Sequence, residues 1–290
     1  MLISLVIPAY NEAENIGKCL EKIFNQKVGH DLEVTVIDSG STDQTIEIVK
    51  SFPNVMLMQI PSEEFGHGRA RNLGALNANG EIIVFINADA IPADENWLQM
   101  LIDPLLENEK IVGSFSRHLP KHGCYFYMAR DLHISMPPEK LKKNKLDSFD
   151  YLKFSTVSAA IKTQVFKRFP FQDDILIAED QEWVRRVEKK GLQVVYVSKS
   201  LVYHSHNYNY RDLFRAKYQL GKSIPTFSSK FIAATWGLVV SIGGIGVKTA
   251  ADFFYILRQP AKCSLKMKEI AISIGARTVS FWGRYLGWLS

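Results

Sequence analysis

The sequence predicts an α/β fold built on a mostly parallel sheet, with a helical tail at its C-terminal end. Three observations carry this. Short apolar runs alternate with helix-spaced segments over the first 90 residues, which is the pattern of strand–helix–strand units. The first two runs end in polar clusters, Tyr10-Asn11-Glu12 and Asp38-Ser39-Gly40-Ser41, and in such sheets ligands bind at the carboxyl ends of the strands. The net charge of +5 resides in the tail, where seven Lys or Arg face two acids from Lys248 onward.

Taken in order, residues 3–8 form the first strand. The apolar start Met1–Ile7 lacks a basic flank and meets Pro8 at once, so it reads as a buried strand and not a signal peptide. Ile16, Leu20, Ile23 and Phe24 place a helix over 13–26; strands at 33–37, 55–60 and 81–86 alternate with helices at 43–50 and 68–79. The stretch 120–150, with Pro137, Pro138 and a lysine cluster, reads as a long functional loop or lid. A strand at 154–161, a helix opened by Glu179-Asp180, a strand at 192–197 and a helix at 210–222 complete a domain of residues 1–225. Residues 226–290 are the tail. A chain of 290 residues is long enough for one core with an appendage. Cys19, Cys124 and Cys263 have no metal-ligand spacing and read as reduced thiols of a cytosolic protein.

Five clusters carry chemistry. Asp38, at a strand tip, can accept hydrogen bonds from a pyrimidine imide or a ribose hydroxyl, while Ser41 with Gln44 matches a helix capping box. In Phe65-Gly66-His67-Gly68-Arg69-Ala70-Arg71, the glycines and the following helix offer N–H groups to an anion, and Arg69 or Arg71 can neutralise a diphosphate. Asp89, after Asn87 and Ala88, is either a turn former or a divalent-metal ligand. In Ala178-Glu179-Asp180-Gln181-Glu182-Trp183 the acids suit a helix start, and one carboxylate can serve as a general base. His204 and His206, as a His-x-His pair after a strand, can bind metal or phosphate. Gly221-Lys222-Ser223 only echoes a phosphate loop: Ala216 stands where that motif needs glycine, and no strand precedes it.

In this order, Val6-Ile7-Pro8-Ala9-Tyr10-Asn11-Glu12, Asp38-Ser39-Gly40-Ser41-Thr42-Asp43, Arg71-Asn72, Asp89 and Glu179-Asp180 resemble glycosyltransferase family 2 over residues 1–220. Phe65–Gly68, Asn87–Ala90, Ala178–Gln181 and Tyr203–His206 look most like rhamnosyltransferases of surface-polysaccharide pathways. The resemblance implies a GT-A fold, Rossmann-like with a mostly parallel sheet and flanking helices. It also implies inverting transfer of a sugar from a nucleotide-diphosphate donor to a glycan or lipid-linked acceptor. Pro8, Tyr10, Glu12 and Asp38 would surround the nucleoside and Arg71 would lie near the diphosphate. Asp89, with His204 or His206, would hold Mg²⁺ or Mn²⁺. Asp180 would be the catalytic base, with His67, Glu179 and Trp183 near the sugars. The family often has two or three acids at the metal position, whereas Asn87 and Ala88 precede Asp89 here.

Phe231–Val247 is uncharged over 17 residues, at the short limit for a spanning helix. Met267, Ile270, Ile274, Phe281, Tyr285 and Trp288 then follow helical spacing among basic residues. The tail therefore packs on the main domain or a second subunit, associates with an anionic membrane surface at the cytoplasmic face, or crosses the membrane through the uncharged stretch. A nucleic-acid partner is disfavoured, because the basic residues are remote from the chemistry-bearing clusters. A dinucleotide oxidoreductase and a sugar nucleotidyltransferase both need a glycine-rich loop after the first strand, where Ala9-Tyr10-Asn11-Glu12 stands. A degenerate transferase acting as a scaffold is the non-enzymatic alternative.

Overall fold

A computed structural model describes the chain except residues 65, 140, 142–153, 174, 176 and 224–229, and except the side chains of 64, 223 and 230–243. The lysine-rich part of the expected middle loop therefore lies outside the described residues, as do most side chains of the uncharged stretch in the tail. The chain divides into two compact units: Met1–Leu119 with Ser135–His204, and Pro120–Ile134 with Ser205–Ser290.

The first unit is a three-layer α/β structure. Strands β1 (Leu2–Ala9), β2 (Asp31–Asp38), β3 (Val55–Gln59), β4 (Ile82–Ile86), β5 (Ile91–Pro92), β6 (Ile111–Leu119), β7 (Ser158–Lys162) and β8 (Gln193–Tyr203) form one sheet, in the order β3-β2-β1-β4-β7-β6-β8-β5. The first four pair in parallel, as do β6 and β8, whereas β7 runs antiparallel between β4 and β6 and β5 antiparallel to β8. Alternation along β1 serves both faces. Ile3, Leu5 and Ile7 pack with Leu20 and Ile23 of α1 (Ile16–Phe24) and with Leu98 and Leu101 of α4 (Trp97–Glu107). Val6 faces the opposite core, with Ala70 and Ala75 of α3 (His67–Leu76), Phe166 of α6 (Thr163–Arg168) and Val184 of α7 (Glu179–Glu188). At Gly74 of α3 a Cβ would sit 2.3 Å from a Val6 methyl, so only glycine lets the helix approach β1 this closely.

Helix α2 (Thr45–Lys50) has no side-chain cap at Gln44, so the expected capping box does not form. Asp43 accepts from the Thr45 amide, while the Ser41 hydroxyl is engaged by Asp38 and by the Asn11 amide.

The second unit contains α5 (Phe126–Ser135), α8 (Tyr210–Ser223), α9 (Lys230–Leu257) and α10 (Cys263–Leu289). Among the described residues, Tyr127, Leu213 and Ala276 form an apolar core in this unit. Asp252 is fully buried there, held by Arg277 Nε at 2.7 Å, Arg130 at 3.0 Å and the Ser273 hydroxyl at 2.7 Å. Arg277 reaches on to both Asp131 oxygens, at 2.6 and 2.9 Å. Burial opposes the Arg277 charge, yet these carboxylates hold its pKa above the ordinary value. Glycine makes the helix contacts possible: at Gly287 of α10 a Cβ would lie 2.0 Å from the Tyr218 carbonyl oxygen of α8. Gly221, from the phosphate-loop echo, is likewise a packing glycine, its Cβ position 2.3 Å from the Arg284 carbonyl oxygen.

Candidate active site

The carboxyl ends of β1, β2 and β4 come together because these strands are parallel neighbours. After β1 and β2 the chain must turn, and the two turns tie each other down. Asn11 adopts φ 53°. Its amide donates to the Ser41 hydroxyl at 2.9 Å and its side-chain oxygen accepts the Thr42 amide at 2.8 Å. The Glu12 amide donates to the Thr45 hydroxyl and the Ala13 amide to Asp43. Asp38 is fully buried beneath this rim, accepting from the Gly40 and Ser41 amides at 3.0 and 2.9 Å. Its carboxylate shapes the loop, a task that its position at a strand tip does not reveal. Pro8 is paired within the sheet opposite Ile37, Glu12 accepts from Asn15 at 2.8 Å, and Tyr10 stands 52% exposed at the rim.

Arg71 is 3% exposed and joins three elements. One terminal nitrogen donates to Glu179 at 2.7 Å and to the His67 carbonyl at 3.2 Å; the other donates to Asn87 Oδ1 at 2.9 Å. Its Nε has no hydrogen-bond partner among the described residues. The Asn87 amide donates to the Val157 carbonyl at 3.0 Å, and the neighbouring Thr156 amide donates to Asp180 at 3.3 Å. Asp180 is bonded in the chain to Glu179, which closes a ring from the strand β4 turn through β7's approach and the start of α7 back to Arg71. The expectation of Arg71 as the diphosphate cation meets a physical obstacle here, since a buried carboxylate already compensates its charge. Arg69, two residues earlier and exposed, is the arginine open to an anion. His67 opens α3 with part of its side chain at the surface; desolvation of the ring, then the Arg71 cation, lower its pKa.

Helix α7 is aimed by a strained residue, Ala178, at φ 72° and ψ 28°. This left-handed conformation is costly for a residue with a Cβ. Burial, and secondarily the adjacent Glu179 carboxylate, push the Asp180 pKa up to about 7, against the opposing pull of Arg71. Glu179 is itself 4% exposed and belongs to the ion pair beneath the site. Trp183 corrects the sequence reading. It is fully buried, donates to the Phe169 carbonyl at 2.8 Å and stacks on Phe154, because it points from α7 into the core. It presents no surface to a sugar.

Asp89 lies 5% exposed in the turn after β4, and His204 Nε2 approaches its Oδ1 at 3.5 Å. The His204 amide donates to the Leu119 carbonyl at 2.9 Å, which fixes it at the end of β8. His206 opens the second unit, its ring 5.1 Å from Tyr208. Sequence reasoning missed His118, whose ring meets that of His204 edge-on at 5.5 Å. Burial, then His204, lower its pKa to about 3, so it stays neutral; its Nε2 has no partner among the described residues. A lone histidine within a strand carries no sequence signal for this placement.

The chain is similar to known proteins in sequence and in fold. The O-antigen chain rhamnosyltransferase RfbN of Salmonella typhimurium is 30% identical over 232 residues, covering 76% of this chain and 72% of that protein. The rhamnosyltransferase WbaN of Salmonella anatum is 27% identical, covering 75% and 70% respectively. Among solved structures, the mannosyltransferase PcManGT of Pyrobaculum calidifontis, in complex with GDP-Man and Mn²⁺, superposes with a TM-score of 0.61 at 19% identity. That match covers 98% of this chain and 84% of the mannosyltransferase. Glucosyl-3-phosphoglycerate synthase from Mycobacterium tuberculosis, in complex with Mn²⁺, UDP and glucosyl-3-phosphoglycerate, gives a TM-score of 0.54 at 23% identity, covering 76% and 77%. These likenesses show the GT-A fold. The family described as glycosyl transferase family 2 matches residues 4–172, spanning the clamped loops, the Arg71 helix and the Asp89 turn. With that match and the RfbN relationship both covering most of the catalytic unit, this chain belongs to glycosyl transferase family 2.

Proposed function

We propose that the chain transfers a sugar from a nucleotide-diphosphate donor to a hydroxyl of a glycan or lipid-linked acceptor, with inversion, in the synthesis of a cell-surface polysaccharide. Rhamnose is the first donor sugar to test, given the rhamnosyltransferase relatives. The observation that carries the reading is Asp180, a carboxylate with a pKa raised to about 7 and held by the Arg71–Glu179 ring. A base poised near neutrality can take the acceptor proton as the hydroxyl attacks the anomeric carbon, and a single displacement inverts that carbon. The nucleoside would rest at the rim formed by Tyr10, Glu12 and the Asp38 loop, with Arg69 open to the diphosphate.

Asp89, His204 and His206 each offer one ligand atom and fit a divalent ion. One carboxylate with imidazoles suits Mn²⁺ better than Mg²⁺, which prefers oxygen ligands throughout. The ion would supply charge neutralisation for the departing nucleoside diphosphate.

The test incubates purified full-length protein with dTDP-rhamnose, UDP-sugars and GDP-sugars, in Mn²⁺, Mg²⁺ or EDTA. One donor is expected to release its nucleoside diphosphate slowly and only with metal, and Asp89→Ala to lose the metal response. Asp180→Asn is expected to reduce transfer about 10²–10⁴-fold. Near-normal turnover in D180N would remove the base assignment, and no binding of any donor would remove the transferase reading.

A further inference from the structure

Helix α10 is amphipathic in the inverted sense. Its buried face carries Glu269, Ser273, Ala276, Arg277, Gly283 and Gly287. Its solvent face carries Met267, Ile274, Trp282, Leu286 and Leu289, each at least 40% exposed. These positions recur at helical spacing, so they form one continuous stripe rather than scattered residues. A helix of 27 residues is about 40 Å long, and the stripe runs most of that length. The described part of α9 repeats the pattern, with Asp252 buried and Val247 and Phe254 at 72% and 60% exposure. Polar groups satisfied inside and apolar groups outside suit an apolar surrounding.

Charge identifies that surrounding. From Lys248 to the end there are seven cations and two acids, and both acids, Asp252 and Glu269, are buried. The Glu269 carboxylate accepts from the Phe126 amide at 2.9 Å, and Asp252 is held by Arg277 and Arg130. Every exposed charged side chain of this segment is therefore a cation: Lys248, Arg258, Lys262, Lys268 and Arg284. A second copy of the chain would bring like charges together around the stripe. An anionic lipid surface would bring headgroup phosphates to the cations and acyl chains to the stripe. No helix among the described residues is long and apolar enough to cross a membrane.

We propose that the α9–α10 face docks on an anionic phospholipid bilayer, with α10 lying along the interface, its apolar stripe in the acyl boundary and its cations at headgroup level. The buried Asp252–Arg277 pair, with Asp131 at its edge, holds the helices in this inverted arrangement. The proposal is independent of the chemistry proposed above, because it requires neither donor nor metal.

The experiment co-sediments the full-length protein with vesicles of phosphatidylglycerol and phosphatidylcholine, and with vesicles of phosphatidylcholine alone. Binding is expected to the anionic vesicles, to fall with added salt, and to drop at least tenfold in Trp282→Glu/Leu286→Glu and in Lys262→Glu/Lys268→Glu. Both pairs are exposed, and an unchanged melting temperature with an unchanged circular dichroism spectrum establishes that each variant folds. Three results would overturn the proposal: no vesicle binding, equal binding to neutral vesicles, or binding unchanged in folded W282E/L286E. So would a lipid-free dimer that W282E/L286E converts to monomer, since a second copy would then cover the stripe.

Discussion

Arg71 shows how a sequence can single out a side chain while leaving its partner hidden. Its place at the start of a glycine-preceded helix suggests an anion, but its partner Glu179 is 108 residues away, beyond any local pattern. Removing one member of a buried pair strands the other's charge. Arg71→Met is therefore expected to lower stability by about 3–5 kcal/mol, read as a shift in denaturant midpoint. Glu179 is also a cause of the raised Asp180 pKa, second to burial. The proposed base must be deprotonated, so activity is expected to fall as pH drops below about 7. Glu179→Gln removes the adjacent negative charge and leaves Arg71 positive, so the acidic limb of kcat/KM should move to lower pH; a limb unmoved, or moved upward, would contradict this origin. The same shift has a stability sign. The native state holds the Asp180 proton from the ordinary 3.8 up to about 7, where the unfolded chain has released it. Wild-type stability should thus decline as pH rises through that window, and D180N should lose that part of the slope. The positions of Asp180, Asp89 and His204 were legible because each stands at a strand end or helix start; their roles are those proposed above. His118 and Trp183 were not, since which way they face depends on strands and helices distant in sequence.

Among elements, β1 to β4 are legible because the sheet's two faces both need apolar residues, giving runs that propensity alone identifies. The strand β6 has no such run: Gly113, Ser114, Ser116, Arg117 and His118 interrupt it. Its buried serines are polar but satisfied. Ser116 lies 2.7 Å from the Ser158 hydroxyl and 2.8 Å from that of Ser200, and accepts from Trp97 at 3.1 Å. A hydrogen-bonded core of this kind is invisible to hydrophobic periodicity. In α10 the period is legible but the direction is not, because the usual rule places the apolar stripe inward. The glycines record the true direction: Gly283 and Gly287 sit where α8 passes at backbone distance. Gly287→Ala would drive a methyl into the Tyr218 carbonyl, and is expected to cost about 3 kcal/mol, seen as a lowered melting temperature with the far-ultraviolet spectrum retained below it.

At the scale of the whole molecule, the second unit is discontinuous in sequence, with α5 contributed from the middle of the chain and the rest from its end. A fragment ending at residue 225 keeps Tyr127 and Asp131 but lacks Arg277, which covers both. Such a fragment is expected to bind a hydrophobic dye and to aggregate at concentrations where the full chain stays dispersed; a well-behaved fragment would contradict the unit's division. During synthesis the ribosome releases α5 long before α10. At ordinary elongation rates the wait is on the order of ten seconds. Throughout it the Asp131 carboxylate and the Tyr127 ring both lack Arg277. The nascent chain therefore passes through a stage in which its first unit can be assembled while the second is still half-made, a stage suited to capture by a chaperone.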